Sequence, residues 1–253
     1  MNIVLFAPHE ISAPLALSDS RAQHIRGVLH KKAGDTFAAG IENGQAGSAR
    51  IDRIDEQAGL LYFSFTAQTD GGHLYPLSFI VGFPRPIQLK RLFRDAAGLG
   101  VRELHLCGTE LGEKSYMQTT LITRGAAHDL LREGSIQAKS THVPELYTHE
   151  SLASCLSALS GEGRLAHAGA LAALDNVRPR VSFPAFLGAK AQTELNRRGV
   201  WAAVGSERGW TDGERALLES HGFVRCSLGQ RVLRTETAVT AAAAIALAAM
   251  GIL

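Results

Sequence analysis

From residue 228 the chain reads LGQRVLRTETA and then runs into an alanine-rich tail, and this junction limits the possible folds more than any other stretch. Leu228 and Gly229 suit a tight turn, because glycine takes positive φ without steric cost and lets another group approach the main chain. Arg231 and Arg234 bracket an apolar pair, Val232 and Leu233. Thr235 or Thr237 can cap the helix that follows, and Glu236 suits the positive end of its dipole. The tail, residues 238–253, is mostly alanine, contains Thr240, and is shorter than the roughly 20 residues a membrane span needs. It reads as a buried helix whose small side chains allow close approach.

Upstream, the pattern alternates between strand and helix. LSFIVGF is a buried-strand candidate, KRLFRDAAGLG a helix with a glycine stop, and VRELHLCG another strand. Later strands are predicted at RLAHAG, GVWAAVG and VRCSLG, each ending on glycine where a loop begins. This rhythm predicts an α/β domain with a parallel sheet over residues 76–253, with ligands outside the carboxyl ends of its strands. No GxGxxG opens a helix after a first strand and no GxxxxGK occurs, so dinucleotide and P-loop sites lack their mechanical parts. Residues 1–70 differ: short strands and turns, with Asn43-Gly44 as a hairpin signal, predict a small β-rich domain. TDGGH, residues 69–73, is the predicted linker. Arg21, His24, Arg26, His30, Lys31 and Lys32 cluster before the first hairpin, where they can meet RNA phosphates or form a solvated face.

At 253 residues the chain suits two small domains or one large one, and its formal charge of +2 permits an RNA partner without requiring one. Three widely spaced cysteines, Cys107, Cys155 and Cys226, indicate neither a disulfide framework nor a paired zinc motif. They read as reduced cytosolic thiols. The start, MNIVLFAPHEI, lacks the parts of a secretory signal, so a cytoplasmic protein is expected. His105, His128, His142, His149 and His221 show no metal-ligand spacing, and no metal is expected.

LGQRVLRTETA resembles the closing signature of the ribosomal RNA small subunit methyltransferase E family, of the SPOUT class of knotted methyltransferases. VGSERGWTDGE, residues 204–214, resembles the family's IGPEGGFSxxE, with Gly205, Glu207, Gly209 and Glu214 matching while Ser206 replaces proline and Arg208 a glycine. QHIRGVLHKKAGD, residues 23–35, resembles HHLxxVLRxxxGD, with His30 at the arginine position. GLGVRELHL, residues 98–106, resembles ELGVxxIxP, but Gly98 replaces its glutamate and Asp95 a nearby lysine. EGSIQAKSTHVPEL, residues 133–146, keeps Gln137 and Pro144 of EQxxRxxxPxL. The resemblance spans nearly the whole chain and is strongest at the carboxyl end.

The resemblance implies a PUA-like β-barrel RNA-binding domain followed by a SPOUT domain with a trefoil-knotted parallel sheet, a topology periodicity does not reveal. It implies that loops at residues 167–170, 205–209 and 227–233 wrap S-adenosylmethionine, with His167, Gly169, Gly205, Ser206, Glu207, Gly209, Ser227, Leu228, Gly229, Val232 and Leu233 as cofactor-binding candidates. It implies methylation of N3 of a uridine in 16S rRNA, on the RNA or the small ribosomal subunit, by a homodimer. Arg234 is then the candidate for stabilising the uracil anion, and Glu236 for accepting the proton, although a helix-start carboxylate also has a purely structural reading. Two other readings fit the same segments: another RNA target with the same fold and cofactor, or a noncatalytic RNA-binding relative.

Overall fold

The computed structural model describes residues 2–253, which divide into two compact units. The first holds residues 2–73 together with Ser135–Val143; the second holds Leu74–Gly134 and Pro144–Leu253.

In the first unit, β1 (Val4–Phe6), β2 (Leu15–Ala16), β3 (Thr36–Ile41), β4 (Ala46–Asp55) and β5 (Leu60–Thr69) form one curled sheet in the order β1-β3-β4-β5-β2. All its pairs are antiparallel except β1 with β3. The Asn43-Gly44 turn lies where the sequence places it, and Asn43 takes φ 56°, the left-handed region asparagine tolerates better than most residues. That turn also binds the late segment: Asn43 N–H donates to the Thr141 carbonyl at 2.8 Å, and its Oδ1 accepts from Val143 N–H at 2.9 Å. Phe6, Ile25, Phe37, Ile51 and Leu61 fill the core.

The basic cluster begins on α1 (Ser20–Gln23) and continues through a π-helical turn over His24–Val28 that buries Ile25. These basic residues differ in what already engages them. Arg21 donates to both carboxylate oxygens of Glu10, at 2.7 and 2.8 Å, and to both of Asp19, while its guanidinium lies over the Phe6 ring. It is spent on internal bonds. His24 Nε2 is buried without a partner, and Arg26 pairs with Glu56 at 2.5 Å. His30 and Lys32 are exposed and Lys31 is half-buried.

The Arg21 pairing holds Glu10 down from 4.5 to about 2, against the opposing effect of burial, and lowers Asp19 too. A carboxylate whose pKa is depressed in the fold stabilises it above the unfolded value, and that contribution fades as pH falls from about 4.5 towards about 2. We expect Arg21→Ala to cost about 2 kcal/mol near neutral pH, discounted for partial exposure. The urea midpoints of variant and parent should then converge as pH approaches 3; a gap that stays constant with pH would contradict the pairing.

The second unit is a seven-stranded sheet, parallel throughout, built from β6 (Tyr75–Gly82), β7 (Val101–Cys107), β8 (Glu145–His149), β9 (Ala170–Leu174), β10 (Val181–Ser182), β11 (Val200–Val204) and β12 (Val224–Ser227). The order is β10-β12-β9-β11-β6-β7-β8. Strands covered on both faces read as continuous apolar runs rather than alternating ones, which is why ALAAL and VWAAV form its centre. The helices are α2 (Pro86–Gly98), α3 (Thr120–Thr123), α4 (Ala126–Gln137, whose last turn belongs to the first unit), α5 (Leu152–Gly161), α6 (Phe183–Gly188), α7 (Gln192–Arg198), α8 (Asp212–Ser220) and α9 (Thr235–Ala249). α5 and α8 supply Leu152, Leu156, Leu159 and Leu218 to a core against Ile80, Trp201 and Ala203. α9 packs on α2, α6, β6 and β11, and the lack of bulk at Ala242, Ala243 and Ala246, all fully buried, permits that approach. Among the described residues no helix is long and apolar enough to cross a membrane.

Two local expectations fail. RLAHAG, residues 164–169, is a run of turns, and the strand is the ALAAL that follows it. Neither threonine caps α9: Arg234 is the N-cap residue and makes no side-chain cap bond, while the Thr235 hydroxyl donates instead to the Gly205 carbonyl at 3.2 Å.

Candidate cofactor site

Three segments leave the carboxyl ends of neighbouring strands and meet: residues 175–177 after β9, 205–210 after β11 and 228–233 after β12. Between them lies a cavity of about 290 Å³. Its apolar wall includes Leu174, Val204, Leu228, Val232 and Leu233, and its polar wall includes Asp175, Asn176, Glu207 and Arg215. Val232 is 88% exposed, an apolar side chain at the lip.

The 205–210 loop is held from several sides. Gly209 N–H donates to the Ser206 carbonyl at 2.9 Å, closing a tight turn in which Gly209 has φ 72°. A Cβ on Gly205 would lie 2.9 Å from the Gly209 backbone, so the turn needs glycine at both positions. The Thr109 hydroxyl donates to Ser206 Oγ at 3.0 Å. Glu207 accepts from Arg85 N–H at 2.8 Å, so its carboxylate serves the amino end of α2, where Arg85 offers no side-chain cap. Asn176 Nδ2 donates to the Arg231 carbonyl at 3.2 Å, tying the first segment to the third.

Behind the cavity, Arg215 of α8 pairs with Asp175 at 2.6 Å and Asp212 at 2.8 Å. Burial works against the Arg215 charge, and the bonds to the two aspartates more than restore it, so its pKa is raised. Trp210 also lines the cavity, and its Nε1 is buried without a partner among the described residues.

Of the sequence-predicted cofactor residues, Gly205, Ser206, Glu207, Gly209, Leu228, Val232 and Leu233 line this cavity. Ser227 and Gly229 shape its third segment without facing it; Ser227 pairs with Ser182 in the sheet, and Gly229 takes φ 117°. His167 and Gly169 do not belong to it. Because the strand starts at Ala170, both precede β9, and Gly169 N–H donates to the Gly199 carbonyl at the opening of β11. His167 instead lines a separate cavity of about 630 Å³ with Arg102, Arg164, Arg197, Arg198 and Trp201. Residues 174–177, Trp210 and Arg215 were missed. The signal for the first of these was present: an apolar run ending in Asp175-Asn176, a pair that favours turns.

Arg234 is exposed between Leu233 and Thr235, both of which line the cavity. Glu236 does not line it. It is 3% exposed in the first turn of α9, with Oε2 unpartnered, where the helix dipole favours a carboxylate. Its place is the one the purely structural reading gives it.

The all-parallel sheet, with a cavity at the carboxyl ends of β9, β11 and β12, is the architecture of a SPOUT domain. The sequence model of the RNA methyltransferase domain matches residues 73–247. The chain belongs to the ribosomal RNA small subunit methyltransferase E family: it is 40% identical over 252 residues to that enzyme of Treponema pallidum, covering 98% of this chain and 91% of the relative. The ribosomal RNA small subunit methyltransferase E 1 of Borreliella burgdorferi is 26% identical over 251 residues, covering 97% of each chain. The fold matches the crystal structure of a Neisseria gonorrhoeae ribosomal RNA small subunit methyltransferase E bound to S-adenosyl methionine, with TM-score 0.73, 19% identity, and coverage of 98% of this chain and 97% of that one.

Proposed function

We propose that this chain transfers the methyl group of S-adenosylmethionine to N3 of a uridine in 16S rRNA, acting in the cytoplasm as a homodimer on the small ribosomal subunit. The observation that carries the reading is the cavity at the ends of β9, β11 and β12, found in a chain of this family. Leu174, Leu228, Val232 and Leu233 offer apolar contact, and the glycine turn at 205–209 lets a ligand approach the main chain. The cofactor supplies a methyl group already activated on a sulfonium.

The protein's remaining task concerns the base. N3 of uridine carries a proton at neutral pH and attacks only as the anion, and its edge is reached only when the nucleotide is unpaired or flipped. Arg234, exposed between two residues that line the cavity, stabilises that anion by a charge-assisted hydrogen bond, and water takes the proton. Glu236 keeps the start of α9 in place. Phosphates are met by His30, Lys31 and Lys32 in the first unit and by Arg197 in the second.

The test is transfer of labelled methyl to small subunits from a strain lacking the modification, followed by mass spectrometry of digested nucleosides. We expect 3-methyluridine. Label in another nucleoside would overturn the target, and saturable cofactor binding without transfer would overturn the enzymatic reading.

A further inference from the structure

β7 places Glu103, His105 and Cys107 at alternate positions, so the three side chains share one face of the sheet, and all three are buried. Polar groups in such a place are costly unless each has a partner. Glu103 has several: Ser78 Oγ donates to it at 2.5 Å, Arg102 at 3.1 Å, and Arg164 pairs with its other oxygen.

His105 is less well served. Its Nε2 is buried without a hydrogen bond among the described residues, and a carboxylate oxygen of Glu103 lies 3.6 Å away. A carboxylate behind one ring nitrogen favours the proton on that nitrogen and leaves the other as a lone pair. That other atom, Nδ1, lies 3.0 Å from Nε2 of His149 on β8. Cys155, in the first turn of α5, is a fully buried free thiol. Its sulfur and one ring nitrogen of each histidine all lie within 4.8 Å of one another.

We propose that His105, His149 and Cys155 bind a borderline-soft divalent cation of the zinc class, which clamps β7, β8 and α5 together at the edge of the sheet. Two imidazoles and a thiolate are the donor set such ions prefer over hard, oxygen-seeking cations. Tetrahedral coordination with Zn–N near 2.0 Å and Zn–S near 2.3 Å sets donor atoms about 3.3 to 3.6 Å apart. The two nitrogens therefore need to separate by only a few tenths of an ångström, and the thiol closes in by side-chain rotation. Glu103 behind His105 is the outer partner that orients a ligand ring and raises its basicity. Tyr147 stacks on the His105 ring at 4.6 Å and Trp201 tilts against it at 5.4 Å, shielding the site from water. His149 is half-buried and gives an entry path and room for a water in the fourth position. None of the three ligands lines the cofactor cavity, so the clamp is separable from methyl transfer.

The experiment is titration of the metal-stripped full chain with Co²⁺ as a spectroscopic probe, then with Zn²⁺ as competitor. We expect one Co²⁺ per chain with the intense visible bands of a tetrahedral site, a sulfur-to-cobalt charge-transfer band, displacement by Zn²⁺, and a raised thermal midpoint. Cys155→Ser should lose the charge-transfer band. His149→Ala, at the half-exposed side, should weaken Zn²⁺ binding at least about 100-fold, since removing a direct ligand costs no less than removing an outer partner. Cofactor binding by each variant shows that it is folded. Folded parent protein that takes up neither ion stoichiometrically, or uptake unaffected by His149→Ala, overturns the site and leaves the two histidines as a simple hydrogen-bonded pair.

Discussion

Methylation by an Arg234→Ala variant is expected to fall about 100- to 1,000-fold in kcat, the usual cost of removing one group aimed at charge that develops in the transition state. Cofactor affinity should not change. Arg234 is exposed, forms no side-chain cap on α9 and has no ion-pair partner among the described residues, so stability should move by no more than about 0.5 kcal/mol. A loss in kcat with unchanged cofactor affinity separates a charge acting on the base from one that merely holds the loop. Arg234→Lys should recover part of the rate, because it keeps the charge and loses the planar fork. In the alanine variant the rate should climb with pH more steeply than in the parent, since without the cation N3 reaches its anionic form only at higher pH. A near-normal rate for Arg234→Ala would remove this residue from the reaction.

Local signals foretold much of this architecture and misplaced some of its chemistry. The Asn43-Gly44 hairpin, the small-residue helix α9 and the glycine loop after VWAAV follow from backbone and packing rules that act within a few residues. The error at β9 arose because RLAHAG and ALAAL adjoin, and Gly169 looks equally like the end of one strand or the entry to the next. The resemblance sets a cofactor loop after this strand, and with the strand read one step early that loop falls on His167 and Gly169. Arg21 looked free for RNA because Glu10 and Asp19, which enclose it, meet it only in the fold. The grouping of Ser135–Val143 with the first unit depends on bonds such as Asn43 to Thr141 across nearly 100 residues, which periodicity does not register. His105, His149 and Cys155 converge from two strands and a helix, so no ligand spacing announces them.

The second large effect comes from a residue outside the cavity. Gly82 ends β6, and a Cβ there would lie 2.5 Å from the Ser206 backbone nitrogen, 2.7 Å from Thr109 Cγ2 and 3.0 Å from the Gly205 carbonyl carbon. Two of those three neighbours are backbone, which cannot rotate away. Gly82→Val therefore has to push the 205–210 loop off β6, and that loop is fastened to α9 through Thr235 and to α2 through Glu207. The shift reaches both the cofactor cavity and the residues next to Arg234. We expect methylation to drop about 100-fold, the cost of a displacement near 1 Å in a reacting geometry. The overpacked strand end should cost a further 1 to 3 kcal/mol of stability, about what extra methyl groups cost in a filled core. Gly98→Ala is the matched control: Gly98 closes α2, and a Cβ there meets nothing within 4 Å, so stability and cofactor binding should hold. If Gly82→Val binds S-adenosylmethionine and melts as the parent does, the loop is not set by its contact with β6, and the cavity must owe its shape to the loop's other bonds, those of Thr109, Glu207 and Thr235 among them.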